Sequence, residues 1–347
     1  MTNARGFAAL TAKSPLQPWQ FSRRFLGIYD LKIEIHYSGI CHSDIHQARE
    51  EWGSAIFPMV PGHEIAGIVS EIGNSVSKFK VGDRVGVGVF VDSCRNCANC
   101  RSGDENYCEK NMTATYNDRE RDGLTPTYGG YSNNIVVDEN YVVSIPANLA
   151  LSGVAPLLCA GITLYSPMKF WKVRPGMKVA IIGLGGLGHM GLKIAKAMGA
   201  HVTVLSHSEN KKDDAYQMGA DDFYATISPE VFKGLKGKFD LILNTVSAEH
   251  DINLYLNTLS LNGTLVILGL PGKPFSVNAG VLLGARRSMA GSTIGGMRDL
   301  QEMINFCGEN NILSEVEIID PEYINQAFTR TVASDVRYRF VIDASKF

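Results

Sequence analysis

Hydrophobic positions change their rhythm along this chain at about residue 175. Before that point they alternate, or come in brief runs broken by glycine and proline. Leu31-Lys32-Ile33-Glu34-Ile35-His36 puts its apolar side chains on one face of an extended segment, and Ile65-Ala66-Gly67-Ile68-Val69 and Ile135-Val136-Val137 predict further strands. Beyond residue 175, Val179-Ala180-Ile181-Ile182 is a short, wholly apolar run, and Val202-Thr203-Val204-Leu205, Leu241-Ile242-Leu243 and Leu265-Val266-Ile267-Leu268 repeat the theme. Helical patterns lie between them, the first an amphipathic stretch from Met190 to Met198. A strand apolar on both faces belongs in a sheet covered on both sides. Such strands alternating with helices predict a doubly wound parallel sheet, so the fold class is α/β. The tail, Val336-Arg337-Tyr338-Arg339-Phe340-Val341-Ile342, returns to a strand pattern.

Composition narrows the setting without changing that picture. The 347 residues allow two domains with ample cores, and 45% hydrophobic with 20% charged residues is ordinary for a soluble protein. A formal charge of −2 gives no attraction to nucleic acid or to an anionic membrane. No apolar stretch approaches the roughly 18 residues of a membrane span, and the first residues lack a signal-peptide pattern. The expectation is a cytoplasmic protein with small-molecule business and neither nucleic-acid nor membrane partners. In that reducing setting clustered cysteines hold metal more often than they form disulfides.

Gly183-Leu184-Gly185-Gly186-Leu187-Gly188 follows the first apolar strand and opens the first helix. That context gives G-x-G-x-x-G a mechanism: a tight turn at Gly183, backbone amides exposed to a pyrophosphate at Gly185, and close helix-on-strand packing at Gly188. The helix N-terminus then faces the diphosphate charge. The next strand ends in Leu205-Ser206-His207-Ser208-Glu209-Asn210-Lys211. No carboxylate follows Leu205 directly, where one would bind a ribose 2′-hydroxyl and repel a 2′-phosphate. The hydroxyls of Ser206 and Ser208 and the ammonium of Lys211 suit that phosphate, so the expected coenzyme is NADP(H), with Glu209 the opposing sign.

Six of the seven cysteines fall into two groups. Cys94, Cys97, Cys100 and Cys108 form a C-x2-C-x2-C-x7-C run, which can close a tetrahedral shell around a structural zinc. Cys41 and Cys159 stand far apart, with His63 between them in Pro61-Gly62-His63-Glu64; two thiolates and an imidazole leave one position of a catalytic zinc open. Taken alone, Cys159 in its apolar surroundings reads more readily as a buried small hydrophobe, as Cys307 does, and it is the neighbours of the three residues that favour the metal. Asp44 could fix the tautomer of His63, and Glu64 could reach the metal or merely pair with a cation. Ser43 and His46 follow Cys41 on one helical turn and make a plausible proton path. His36, His189, His201 and His250 read as surface or packing residues.

The succession Gly39-Ile40-Cys41-His42-Ser43-Asp44, Pro61-Gly62-His63-Glu64, Gly82-Asp83-Arg84-Val85, the cysteine loop, Gly183 to Gly188 and Asp335-Val336-Arg337-Tyr338-Arg339-Phe340 resembles the zinc-dependent medium-chain alcohol dehydrogenases, and within them the cinnamyl alcohol dehydrogenase branch. The resemblance implies a GroES-like β-rich catalytic domain over 1–152 and 293–347, around a Rossmann NADP-binding domain over 153–292. It implies two zinc ions per chain, a catalytic one on Cys41, His63 and Cys159 beside Glu64, and a structural one on the four-cysteine loop. It places Ser43 and His46 in a relay through the coenzyme ribose, His42 beside the coenzyme diphosphate, and His207 where a small hydroxyl residue is more usual. Trp52 would wall the substrate pocket, with Phe57, Phe90, Tyr116 and Ile294 as further candidates, and the active molecule would be a homodimer. The expected reaction interconverts primary alcohols and aldehydes of aromatic, cinnamyl or medium aliphatic type. A polyol dehydrogenase of the same superfamily and a non-catalytic NADP-binding zinc protein are the rival readings.

Overall fold

The computed structural model of the chain describes residues 2–347. It divides into two compact units, Met1–Ile162 with Gly295–Phe347, and Thr163–Ile294. The first changeover lies beyond the expected residue 152, so residues 153–162, Cys159 among them, are part of the first unit.

In the first unit the Asp30–Gly39 strand is the spine of a seven-stranded sheet. It pairs antiparallel with Ile65–Ile72, Asn134–Asp138 and Arg339–Asp343. The alternation seen in the sequence is used as expected: Leu31, Ile33 and Ile35 are buried, while Lys32, Glu34 and His36 are not. The register against Ile65–Ile72 slips between Ile35 and Tyr37, a bulge that carries the buried phase over to Ser38. Three chain segments are thereby brought to one end of the sheet. Gly39 N–H donates to Glu64 C=O at 2.9 Å, and Ile40 N–H donates to Phe340 C=O at 2.9 Å. Cys41, His63 and Arg339 follow from that convergence. A separate antiparallel hairpin, Thr2–Ala8 with Gln17–Arg23, covers part of the core formed by Ile40, Ile45, Met59, Val60, Tyr131 and Phe340.

The second unit carries six parallel strands in the order Asp222–Ala225, His201–Ser206, Lys178–Ile182, Phe239–Asn244, Leu259–Ile267 and Ser288–Gly291. The four apolar runs read from the sequence are its four inner strands. Burying one aliphatic side chain is worth about 1.5–3 kcal/mol, so uncovering one face of these strands would forfeit an amount comparable with a domain's whole stability. Helices on both sides follow. The first, Gly188–Ala197, buries Met190, Leu192, Ile194 and Ala195. The outermost strands are less buried and carry no wholly apolar run, which is why the sequence pattern does not announce them. Among the described residues no single helix is long and apolar enough to cross a membrane.

Candidate active site

Cys41 lies two residues beyond the strand spine and caps the short helix His42–Ala48. His63 precedes the neighbouring strand, and Cys159 lies between a 3-10 turn at Ala155–Leu158 and the helix Ala160–Phe170. The ligand atoms of Cys41, His63, Glu64 and Cys159, all four residues buried, lie within 4.8 Å of one another. Asp44 organises this cluster. Its carboxylate accepts from the backbone N–H of Cys41 (2.8 Å) and of Gly62 (3.2 Å) and from the hydroxyl of Tyr131 (3.0 Å). It also stands 3.2 Å from His63 Nδ1, which fixes the imidazole and leaves Nε2 for the thiols. Burial alone would lower the pKa of His63, but the charge and hydrogen bond of Asp44, together with those of Cys41, outweigh it and hold the imidazole well above its ordinary range. The hydrogen bond between the two thiols pulls Cys41 well below the usual thiol range and pushes Cys159 well above it.

Glu64 is fully buried behind the thiols. One carboxylate oxygen accepts from Arg339, whose guanidinium also donates to the carbonyl of Ile40 at 2.8 Å. The other oxygen, Oε2, is buried without any hydrogen-bond partner. Burial lifts the Glu64 pKa to about 7 against the pull of Arg339. Zinc fits this donor set: two thiols, an imidazole already anchored through its other nitrogen, and one lone buried oxygen that a cation would answer. Arg339 is the residue that sequence reasoning missed. Its signal was present, an arginine leading the apolar run Phe340-Val341-Ile342, because a charge buried in a strand demands a buried partner.

The four-cysteine loop is a different construction. Cys94, Cys97, Cys100 and Cys108 also bring their sulfurs within 4.8 Å of one another. A tetrahedron with metal–sulfur bonds of about 2.3 Å has edges of about 3.8 Å, and the sulfurs of Cys94 and Cys100 stand 3.8 Å apart. The loop's own amides point at its sulfurs: Cys97 N–H to Cys94 (3.3 Å), Cys100 N–H to Cys97 (3.4 Å) and Cys94 N–H to Cys108 (3.4 Å). Backbone donation, from Asn96 and from Cys100 respectively, lowers the thiol pKa values of Cys94 and Cys97. At Cys108 the amide bonds outweigh desolvation with the same result, whereas desolvation pushes Cys100 up to about 12. The set fits a closed zinc shell.

In the second unit, Gly183 sits just after the first strand with φ +86°, and a Cβ on Gly188 would stand 1.9 Å from the Gly183 carbonyl. Both positions therefore require glycine. Gly185, Gly186 and Leu187 form the turn between them and lead into the Gly188–Ala197 helix. Ser206 closes the adjacent strand and is buried, His207 is exposed, and Ser208 is half-buried. Lys211 reaches back to donate to the carbonyl of Leu184 at 2.9 Å, and Glu209 pairs with Lys212 at 3.5 Å.

The remaining predicted residues are placed unevenly. Ser43 Oγ stands 3.6 Å from Cys41 Sγ. His42 is exposed on the same helix, its ring 6.2 Å from that of His46. His46 pairs with Glu51 and stacks on the exposed Trp52 at 4.7 Å. Tyr116 lies parallel to the His63 imidazole with centroids 5.8 Å apart. Phe90 is buried edge-on against Tyr141, Phe57 packs on the core of the first unit, and Ile294 is buried at the end of the second.

Known proteins align with both units. The model of the alcohol dehydrogenase GroES-like domain matches residues 27–147, and that of the zinc-binding dehydrogenase matches residues 186–309. The chain is 57% identical over 346 residues to NADP-dependent alcohol dehydrogenase C 1 of Mycolicibacterium smegmatis, covering 99% of each. A solved cinnamyl alcohol dehydrogenase from Sorghum bicolor superposes with a TM-score of 0.96 at 43% identity, over 99% of this chain and 98% of that one. CAD from Helicobacter pylori, complexed with NADP(H), superposes with a TM-score of 0.93 at 44% identity over 99% of both. With its GroES-like and Rossmann-like parts and its two sulfur clusters, the chain belongs to the zinc-dependent medium-chain alcohol dehydrogenases, in their cinnamyl alcohol dehydrogenase-like branch.

Proposed function

We propose that the chain is an NADP(H)-dependent alcohol dehydrogenase and aldehyde reductase acting on primary aromatic, cinnamyl-type or medium aliphatic substrates. Cys41, His63 and Cys159 are its catalytic zinc ligands, Cys94, Cys97, Cys100 and Cys108 its structural ones, and Thr163–Ile294 its coenzyme unit. The observation that carries the reading is the buried Cys41–His63–Cys159 cluster with Asp44 on Nδ1 and an unpartnered Glu64 oxygen behind it. When bound, zinc supplies Lewis acidity toward a carbonyl or alcohol oxygen, and the nicotinamide supplies or accepts hydride.

This chain's own residues handle the proton and the coenzyme charge. Ser43 Oγ, beside Cys41 Sγ, gives a proton to the nascent alkoxide oxygen or takes one from the alcohol. His46 lies three residues on, on the same helical face, and its bond to Glu51 orients the imidazole that exchanges with solvent. For the coenzyme, Ser206, Ser208 and Lys211 favour the 2′-phosphate, and the opposing acid, Glu209, is held by Lys212. The NADP-dependent relative from M. smegmatis and the NADP(H) complex from H. pylori support the same preference. A homodimer paired through the coenzyme unit is supported by its edge strand Ser288–Gly291 and the exposed Leu270 and Leu283 nearby in the chain. Seven free cysteines, six of them in metal-ready clusters, accord with a reducing, cytoplasmic setting.

Absorbance at 340 nm, followed with NADPH or NADH against aromatic aldehydes, aliphatic aldehydes, sorbitol and quinones, tests the reading. NADPH oxidation with benzaldehyde- or cinnamaldehyde-like compounds is the expected result. Turnover of sorbitol alone would move the chain to the polyol dehydrogenases, and coenzyme binding without any turnover would leave it a non-catalytic protein.

A further inference from the structure

His250 lies in the loop after Phe239–Asn244, the strand next to Lys178–Ile182. The parallel sheet changes direction between these two strands, since the chain runs outward from Lys178–Ile182 to Asp222–Ala225 before returning on the other side. Ligands of doubly wound sheets bind outside the carboxyl ends of the strands at such a switch. The loop is wedged there. Thr245 Oγ1 donates to the carbonyl of Ile182 at 2.7 Å, and Val246 presses on the glycine turn, its Cγ2 2.7 Å from where a Cβ on Gly183 would be. The amides of Leu268 and Gly269 donate to the carbonyl of Asn244 at 2.9 and 3.1 Å.

A three-link chain of hydrogen bonds closes this loop on itself. Val246 N–H donates to Asn244 Oδ1 (3.2 Å), Asn244 Nδ2 meets His250 Nε2 (3.1 Å), and His250 Nδ1 meets the carbonyl of Ala248 (2.8 Å). Its two ends fix its polarity, because a backbone N–H only donates and a carbonyl only accepts. The Asn244 amide therefore presents its NH2 to His250, and the imidazole must accept at Nε2 while donating from Nδ1. Tyr255 and Phe275 hold the ring edge-on at 5.5 and 5.4 Å. Tyr255 in turn shares a hydrogen bond (3.3 Å) with Thr226, which donates to the carbonyl of Ser206 at 3.1 Å. The histidine thus ties the switch-point loop to the strand expected to carry the coenzyme's adenosine phosphate.

We propose that His250, as its neutral Nδ1–H tautomer, is a positioning residue for the coenzyme: it latches residues 245–250 against the glycine turn and so holds the crevice wall in its binding shape. The proposal rests on the NADP(H) reading above. Asn244 is fully buried, so removing the acceptor leaves a buried amide donor unsatisfied. That loss, of the order of one hydrogen bond, corresponds to about a tenfold weaker Kd where the variant must restore the latched loop shape on binding.

The test uses the full-length, zinc-loaded enzyme and titrates NADPH by fluorescence without aldehyde. His250→Phe keeps the aromatic packing and removes the acceptor; its Kd should rise about tenfold, while kcat at saturating NADPH and KM for the aldehyde stay within about twofold of wild type, since no group touching substrate has changed. His250→Gln retains an acceptor and should recover most of the affinity. If thermal melting shows that His250→Phe does not fold, His250→Leu takes its place in the comparison. Wild-type affinity in the Phe or Leu variant overturns the latch, as does a Gln variant no tighter than Phe. A wild-type enzyme that binds neither NADPH nor NADH overturns the coenzyme reading, and the latch with it.

Discussion

The two sulfur clusters of the first unit reach similar donor densities by opposite routes. In the four-cysteine loop the chain needs only its local backbone: successive amides turn inward, and each sulfur meets an N–H from a residue close in sequence or just across the loop. In the other cluster the donors come from positions 41, 63 and 159, and no local turn can gather them. A sheet bulge, a strand crossing from the far end of the chain, and a carboxylate bonded to four neighbours do so instead. The local cluster is polar, complete and inward-looking. The dispersed one includes a buried carboxylate whose second oxygen has nothing to bind. Shell closure suits stability, and an unfinished shell suits chemistry.

The sharpest way to break this comparison is Cys159→Ala. It should remove one zinc per chain by elemental analysis and lower kcat by roughly 10⁴-fold, since the Lewis acid contributes several kcal/mol to the barrier. Two zincs retained in that variant would refute the ligand set. Cys97→Ser should also lose one zinc, yet act on stability: a loss of about 3 kcal/mol or more, read as a fall in Tm of about 6–12 °C, with kcat per remaining zinc little changed. An unchanged melt would mean the loop does not depend on its ion. Arg339→Met leaves Glu64 without its buried counter-charge and should cost about 3–5 kcal/mol of unfolding free energy. Adding Glu64→Gln to it should recover part of that cost, and strict additivity in the double variant would show the pair is not coupled. Smallest of the four, Ser43→Ala should lower kcat roughly a hundredfold with both zincs in place. Unchanged turnover at neutral pH would remove Ser43 from the proton path.

What the sequence made legible was whatever is encoded locally. The cysteine run, the glycine turn and the four inner strands announce themselves because spacing and hydrophobic runs are short-range signals, and their elements are where the pattern placed them. The outer strands Asp222–Ala225 and Ser288–Gly291 escaped because half-exposed positions need no apolar run. Partnerships across long sequence separations were harder. Tyr131 on Asp44 and Arg339 on Glu64 join residues that only the finished sheet brings together. His250 read as an ordinary packing side chain, and its aromatic neighbours agree, but the bond to Asn244 depends on a loop path that periodicity does not describe.

Lys211 has one further consequence. Its ammonium is moored on the carbonyl of Leu184, inside the glycine turn itself. A long, flexible side chain ordinarily surrenders about 1.5–2 kcal/mol of rotamer freedom when it is immobilised. Here part of that freedom is already given up to the Leu184 carbonyl, so on the NADP(H) reading proposed above cofactor discrimination and diphosphate grip would share one anchor. If Lys211 holds the 2′-phosphate as proposed, replacing this lysine alone to favour NADH would slacken the turn along with the selectivity. A redesign would have to rebuild the mooring at Leu184 while changing what greets the ribose.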